Sequence, residues 1–177
     1  MTVTINAKAF RSAQMAQAKN DVRYYLDGVC VQTTGRVIGT NGHILYACTP
    51  SERSPLGNDT AFDEDKIIRV GGKIPVAAEW LTFDTDKMIC TTEKYKPFSF
   101  QFVEGNYPNV DRVIPTLPRS EIAHEIGLSA KYLALAGAMA HDVVRVYPGE
   151  AKDAVLIESF LPDDGATESI VIMPVRL

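Results

Sequence analysis

Between Tyr24 and Thr49 the chain alternates short apolar runs with glycine, and this stretch constrains the fold more than any other. Tyr25, Cys30, Val31, Val37, Ile38, Ile44, Leu45 and Tyr46 favour extended backbone, punctuated by Gly28, Gly35, Gly39 and Asn41-Gly42. Asn-Gly between apolar runs is a strong signal for a tight hairpin, so the segment predicts an antiparallel meander. Ahead of it, Thr2 to Asn6 alternates like a strand, and Asn6 is placed to cap a helix over 7–20. On that helix Phe10, Ala13 and Gln17 share one side and Lys8, Arg11 and Lys19 the other, an amphipathic pattern with a basic stripe.

Residues 50–65, rich in proline, serine and acids, read as a solvated loop. Strands are expected at Lys66–Val70, Trp80–Thr85, Met88–Thr92 and Phe98–Val103. A proline-rich connector, Pro115 to Pro118, leads to a second helix over Ala130–His141, with Ser129 as cap and Leu128 stapling onto Leu133. Its bulky face is Leu128, Tyr132, Leu135 and Met139; its other side is Lys131, Ala134, Gly137 and Ala138. Three more strands fit Val143–Tyr147, Ala154–Glu158 and Ser169–Pro174. The pattern is α+β: two helices packed on antiparallel sheets, with βαβββ half-repeats at the start and the end of the chain. No residue-level repeat proves a duplication.

At 177 residues, 46% hydrophobic and 23% charged, the chain is long enough to bury a core without disulfides or metals. Its longest apolar run, Tyr132 to Ala140, is too short to span a bilayer, and no export signal stands at the N-terminus, so no membrane partner and a cytoplasmic location are expected. Cys30, Cys48 and Cys90 are odd in number and widely spaced, which suits reduced, buried thiols.

Signals for catalysis are weak. Gly71-Gly72-Lys73-Ile74 lacks the spacing and hydroxyl of a phosphate-binding loop, and no nucleophile elbow occurs. His43, His124 and His141 have no cysteine partners at zinc-ligand spacing, and Asp63-Glu64-Asp65 reads as a solvated acidic run. Gly39-Thr40-Asn41-Gly42 matches the RNA-clamping G-x-x-G only in letters, because strands rather than helices flank it. The chain is read as a non-enzyme without metal or cofactor. Its net charge is −4, yet residues 1–49 carry five basic groups against two acidic ones. A phosphate-facing surface, if present, belongs to this first quarter.

Four segments, read together, are more informative. Asp21-Val22-Arg23-Tyr24-Tyr25-Leu26-Asp27-Gly28 and Thr40-Asn41-Gly42-His43-Ile44-Leu45 resemble the "DVRYYLNG" and "TDGHRL" segments in the middle domain of the bacterial sliding clamp, the β subunit of DNA polymerase III. Residues 105–115, from Gly105-Asn106-Tyr107-Pro108 to Pro115, are similar to the link between that family's middle and last domains. Ile172-Met173-Pro174-Val175-Arg176-Leu177 resembles its terminal "VMPMRL". The four occur in the family's order.

The resemblance implies a sliding-clamp fold of abbreviated, phage- or mobile-element type. Residues 1–118 would be a middle domain short of one helix, the deficit falling at Gly71 to Ala78, and 119–177 the second half of a last domain, the two forming one compact unit. It also implies a replication processivity factor that oligomerises around double-stranded DNA without sequence preference and binds short peptides of polymerase and clamp-loader proteins. The alternative is a clamp-derived module that does not encircle DNA and recruits, or competes for, clamp-binding partners. Carried over by position, the peptide pocket comprises Arg23 at its edge with Leu26, Thr40, Gly42, His43, Leu45, Pro115, Val171, Ile172, Met173, Pro174 and Arg176. The DNA-facing candidates are Lys8, Arg11, Lys19 and Lys131. The family's Asp and Arg in the second segment are Asn41 and Ile44 here, which removes charge from the pocket rim, and its second terminal Met is Val175.

Overall fold

The computed structural model describes residues 1–51, 62–118, 125–141, 143–160 and 165–175. Among the described residues eleven strands form one antiparallel sheet: β1 (Thr2–Asn6), β2 (Val29–Val31), β3 (Val37–Thr40), β4 (Ile44–Thr49), β5 (Lys66–Val70), β6 (Trp80–Asp84), β7 (Ile89–Thr91), β8 (Phe98–Val103), β9 (Arg145–Tyr147), β10 (Val155–Phe160) and β11 (Thr167–Ile172). Their spatial order is β1-β6-β7-β8-β5-β2-β3-β4-β11-β10-β9. Two helices, α1 (Ala7–Ala16) and α2 (Ala130–Met139), pack on it.

Both faces of the central strands are buried, so the sheet separates two cores. Val29, Val31, Val37, Ile44, Tyr46, Ile170 and Ile172 turn towards the helices, together with Phe10 and Ala13 of α1 and Met139 of α2. Cys30, Ile38, Leu45, Ala47, Leu156 and Val171 alternate with them and turn the other way, under Tyr107, Val110, Ile114 and Leu117. The proline-containing link is therefore a lid over the second face. No disulfide joins the three buried cysteines; burial pushes the Cys30 and Cys90 thiols up to about 12.

Strands β4 and β11 pair from Ile44↔Ile172 to Thr49↔Thr167, which carries the sheet across the boundary between 1–118 and 119–177. A buried polar knot marks this seam. Tyr46 Oη donates to Glu168 Oε1 at 2.6 Å, and Ser159 Oγ donates to the other carboxylate oxygen. Nearby, Ser12 Oγ of α1 donates to the Met139 carbonyl of α2 at 3.3 Å.

The Asn6 side chain does cap α1, accepting from the Ala9 N–H at 3.0 Å. The helix is shorter than its periodicity predicts, ending at Ala16, where Gln17 turns to extended backbone. Lys19 thus lies beyond the helix and does not extend the stripe of Lys8 and Arg11. Helix α2 likewise stops at Met139, and its Ser129 side chain makes no cap bond. Leu133 is exposed while Leu128 packs on the core, so the expected staple between them gives way to core burial of Leu128. Residues 71–79, which include the expected helix deficit at Gly71 to Ala78, hold no helix. Instead, Arg11 Nη1 donates to the carbonyls of Pro75 at 2.8 Å and Ala78 at 3.2 Å, fastening this segment beside α1. The second half-repeat has no strand ahead of α2 among the described residues.

Candidate functional site

The β3–β4 turn is built by its own side chains. Asn41 Oδ1 accepts from the N–H groups of His43 at 2.9 Å and Ile44 at 3.1 Å, and Thr40 Oγ1 accepts from Gly42 N–H while donating to Ile44 O. Gly42 takes φ +88°, which a side chain would resist. The turn carries its glycine at the first central position, with Asn41 acting as the side-chain brace one residue earlier.

Beside this turn lies a cleft of about 210 Å³. Its floor is Leu26, Leu45 and Val171, all buried. One wall is the turn itself, Thr40 to Ile44; the opposite wall is Pro108, Asn109, Val110 and Val113 of the link, and Met173 closes one end. The link is held there by Arg36 Nη1, which donates to Asp111 at 2.5 Å, and by Asn109, which caps the 3-10 turn Val110–Arg112. The tail beyond β11 is pinned too: Met173 N–H donates to His43 O at 3.0 Å and Val175 N–H to Gly127 O at 2.9 Å. The His43 ring stacks on Tyr132 of α2, with centroids 5.9 Å apart.

Arg23 stands at the rim with its charge already engaged. Its Nε and Nη2 donate to the two oxygens of Asp21 at 3.0 and 2.9 Å. These bonds hold the Asp21 carboxyl down at about 2. The cleft therefore presents an apolar floor and, among the described residues, a rim guanidinium whose charge is compensated. Such a site suits apolar side chains of a short peptide.

Leu26, Thr40, Gly42, His43, Leu45, Val171, Met173 and Arg23 converge on this cleft. Ile172 does not: strand alternation sends it into the helix-side core, fully buried. Pro115 and Pro174 are half-buried outside the lining, and Arg176 lies outside the described residues. Pro108, Asn109, Val110 and Val113 line the cleft although their segment resembles only a link between domains. The signal available was the apolar spacing of Tyr107, Val110, Val113, Ile114 and Leu117, too regular for a solvated linker.

No family model matches the chain. It is 25% identical over 155 residues to the beta sliding clamp of Salmonella typhimurium, covering 81% of this chain and 41% of that protein. Against the beta sliding clamp of Pseudomonas putida it is 31% identical over 113 residues, 56% of this chain and 29% of that one. The solved Caulobacter crescentus beta sliding clamp superposes with a TM-score of 0.69 at 15% identity, covering 99% of this chain and 65% of the other. The Pseudomonas aeruginosa sliding clamp gives 0.66 at 18% identity, covering 100% and 66%. The chain is similar to the bacterial beta sliding clamps. It has their fold and spans about two fifths of the length of the Salmonella relative.

In this clamp-like fold the basic candidates are dispersed. Arg11 is bound to the 75–78 carbonyls, and partial burial lowers its pKa from the usual arginine value. Lys19 is exposed in the loop after α1, Lys8 is half-buried on the helix, and Lys131 Nζ lies 5.7 Å above the Tyr132 ring. Among the described residues no three His, Cys, Asp or Glu side chains converge as metal ligands. No helix there is long and apolar enough to cross a membrane.

Proposed function

We propose that this chain acts as a sliding-clamp-like replication processivity factor, a non-enzymatic protein that oligomerises around double-stranded DNA and holds short peptide segments of polymerase and clamp-loader proteins. One observation carries the reading: segments around positions 26, 42, 110 and 171, far apart in sequence, meet in a single apolar cleft whose polar groups are mostly committed to shaping it. Peptide capture is tested by fluorescence anisotropy with a labelled clamp-binding peptide. Removing the last five residues takes away Met173 and the bond between Val175 and Gly127, and binding is expected to vanish while the fold persists. Unchanged affinity in the truncated protein refutes the cleft as the site.

Encirclement makes a separate prediction, because topological retention does not depend on strong phosphate contacts. Protein loaded on nicked circles should stay through gel filtration in raised salt and be released once the DNA is linearised. The variant with Lys8, Lys19 and Lys131 changed to Glu should load or slide poorly and still bind peptide; Arg11 is left in place because it holds the 75–78 segment. The commitment of Arg11 to backbone carbonyls favours a second reading, a peptide-binding module that does not encircle DNA. Equal retention on circular and linear DNA supports that module.

A further inference from the structure

Residues 1–103 contain a pairing rule that the C-terminal half leaves half-used. Strand β1 runs directly into α1 and pairs not with the strand after α1 but with β6, the strand after segment 71–79. Reciprocally, β5 runs into segment 71–79 and pairs with β2, the strand after α1. Strand β5 also pairs with β8, the last strand of its own half.

In the C-terminal half Glu125–Ser129 runs into α2, and Val143–Tyr147 follows it. The contact corresponding to β5–β8 is present: Gly127 O accepts from Val175 N–H, just beyond the last strand. The two exchanged contacts are absent among the described residues. Strand β9 is the edge of the sheet, with Val143 81% and Val146 54% exposed and Val144 also exposed. The flank of α2 formed by Leu133, Ala134, Gly137 and Ala138 is exposed as well, where α1 has segment 71–79 beside it. An apolar free edge of this kind invites another strand.

We propose that a second copy of this chain completes the half-repeat about a two-fold axis: Glu125–Ser129 of each copy pairs antiparallel with Val143–Tyr147 of the other, and the two α2 helices lie side by side. The register follows from the internal template. Residues 82–84 of β6 pair with β7 as 145–147 of β9 pair with β10, so Val143–Tyr147 corresponds to Trp80–Asp84. The pairs Val3↔Phe83 and Ile5↔Leu81 then become Ile126 opposite the partner's Val146 and Leu128 opposite the partner's Val144. Ile126 and Leu128 already pack on the helix-side core, the face to which alternation assigns Val144 and Val146. On the other face Glu125 becomes a diagonal neighbour of the partner's Arg145, a favourable charge pair made twice. The two missing contacts are complementary to each other, which is why a second copy, rather than an unrelated strand, fits both at once.

This deepens the oligomeric part of the proposed function, and its test reads mass without DNA or peptide. Light scattering on the purified chain at rising concentration should show twice the 19.4 kDa chain mass. Val146→Lys, at an exposed position, should return the mass to a single chain with an unchanged circular dichroism spectrum. Under mild oxidation the double variant Ile126→Cys with Val146→Cys should form covalent dimers on a non-reducing gel, and each single variant should not. A monomer at every concentration, a dimer that survives Val146→Lys, or no cross-link in the double variant overturns the proposal. A larger ring insensitive to Val146→Lys would refute this interface and keep the clamp reading; a dimer of this register with no retention on circular DNA would do the reverse.

Discussion

Gly39 of β3 sits where α1 crosses the sheet, and Gly39→Ala tests that packing directly. A Cβ there would lie 1.9 Å from the Ala13 carbonyl oxygen, 2.6 Å from its carbon and 2.8 Å from the Ala13 Cα, against an ordinary contact of 3.4 Å or more. The obstruction is helix main chain, so no rotamer change relieves it. Moving α1 back from 1.9 to 3.4 Å would lift Phe10, Ala13 and Ala16, all fully buried, off the strands beneath. A radial gap of about 0.5–1 Å already forfeits a quarter to a half of each contact. Overpacking a core costs about 1–3 kcal/mol, and a clash with main chain belongs at the upper end, about 3 kcal/mol or more. For a chain of this size that is a fall in Tm of roughly 6–12 °C. The assay is urea and thermal unfolding followed by circular dichroism, with Gly72→Ala as control. Gly72 has open space within 4 Å and no positive φ. Its replacement should stabilise by about 0.4–1 kcal/mol through the unfolded chain. A Gly39→Ala protein within about 0.5 kcal/mol of wild type would refute the close approach of α1 to β3.

Tyr46→Phe removes one of the two hydroxyl donors that the buried Glu168 carboxylate receives, and urea unfolding should register a loss of about 1–3 kcal/mol; a neutral change would mean the seam between β4 and β11 does not depend on this knot. The Cys30 and Cys90 thiols, raised from 9.0 to about 12, stay protonated in the fold while unfolded thiols ionise. Their contribution is present below pH 9 and is lost as pH rises towards 12, so the urea midpoint should fall across that range, and Cys90→Ala should flatten the fall. Asp21→Asn frees the Arg23 guanidinium at the cleft rim and should raise affinity for acid-flanked peptides at low salt, read by anisotropy; no gain would show that Arg23 does not face the ligand. In the wild type the same release occurs only as pH falls from 3.8 towards about 2.

Strand positions were the most legible part of the chain. Thr2–Asn6, Lys66–Val70 and Phe98–Val103 are strands with the expected ends, because alternation and flanking turn residues mark both their core face and their limits. Helix ends were less legible. Ala-rich sequence past Ala16 could continue a helix, but Ala18 N–H is claimed by the Leu26 carbonyl at 3.0 Å, a tertiary bond that no local propensity encodes. Arg11 illustrates the same limit: a basic residue on a helix reads as solvated until a neighbouring segment without its own helix offers two bare carbonyls. In the cleft, residues carried by strands and the tight turn were legible; Ile172 was misplaced by one step of alternation, and the link's contribution depended on its folding back over a face that only the assembled sheet creates.

The division of the sheet into two buried faces bears on how the two proposed activities can be separated. Leu45 and Val171 of the cleft floor lie on the link side, whereas Lys8 and Lys131 ride on helices of the opposite side. Side chains of one strand alternate between these faces, so a substitution on one face reaches the other only by moving the shared backbone. Charge reversal at Lys8 or Lys131 leaves every strand pair intact and should leave peptide affinity unchanged. Gly39→Ala displaces the backbone one residue before Thr40, whose hydroxyl shapes the turn that walls the cleft. It should weaken peptide binding and stability together. His43 is the point where the two sides touch, since its ring stacks on Tyr132 of α2 while its carbonyl receives the Met173 N–H. Tyr132→Ala therefore removes a helix-side support of a cleft residue without entering the cleft, and it should lower peptide affinity where Lys131→Glu, one residue away, does not. Equal peptide affinities for both variants would mean that the stack does not position His43.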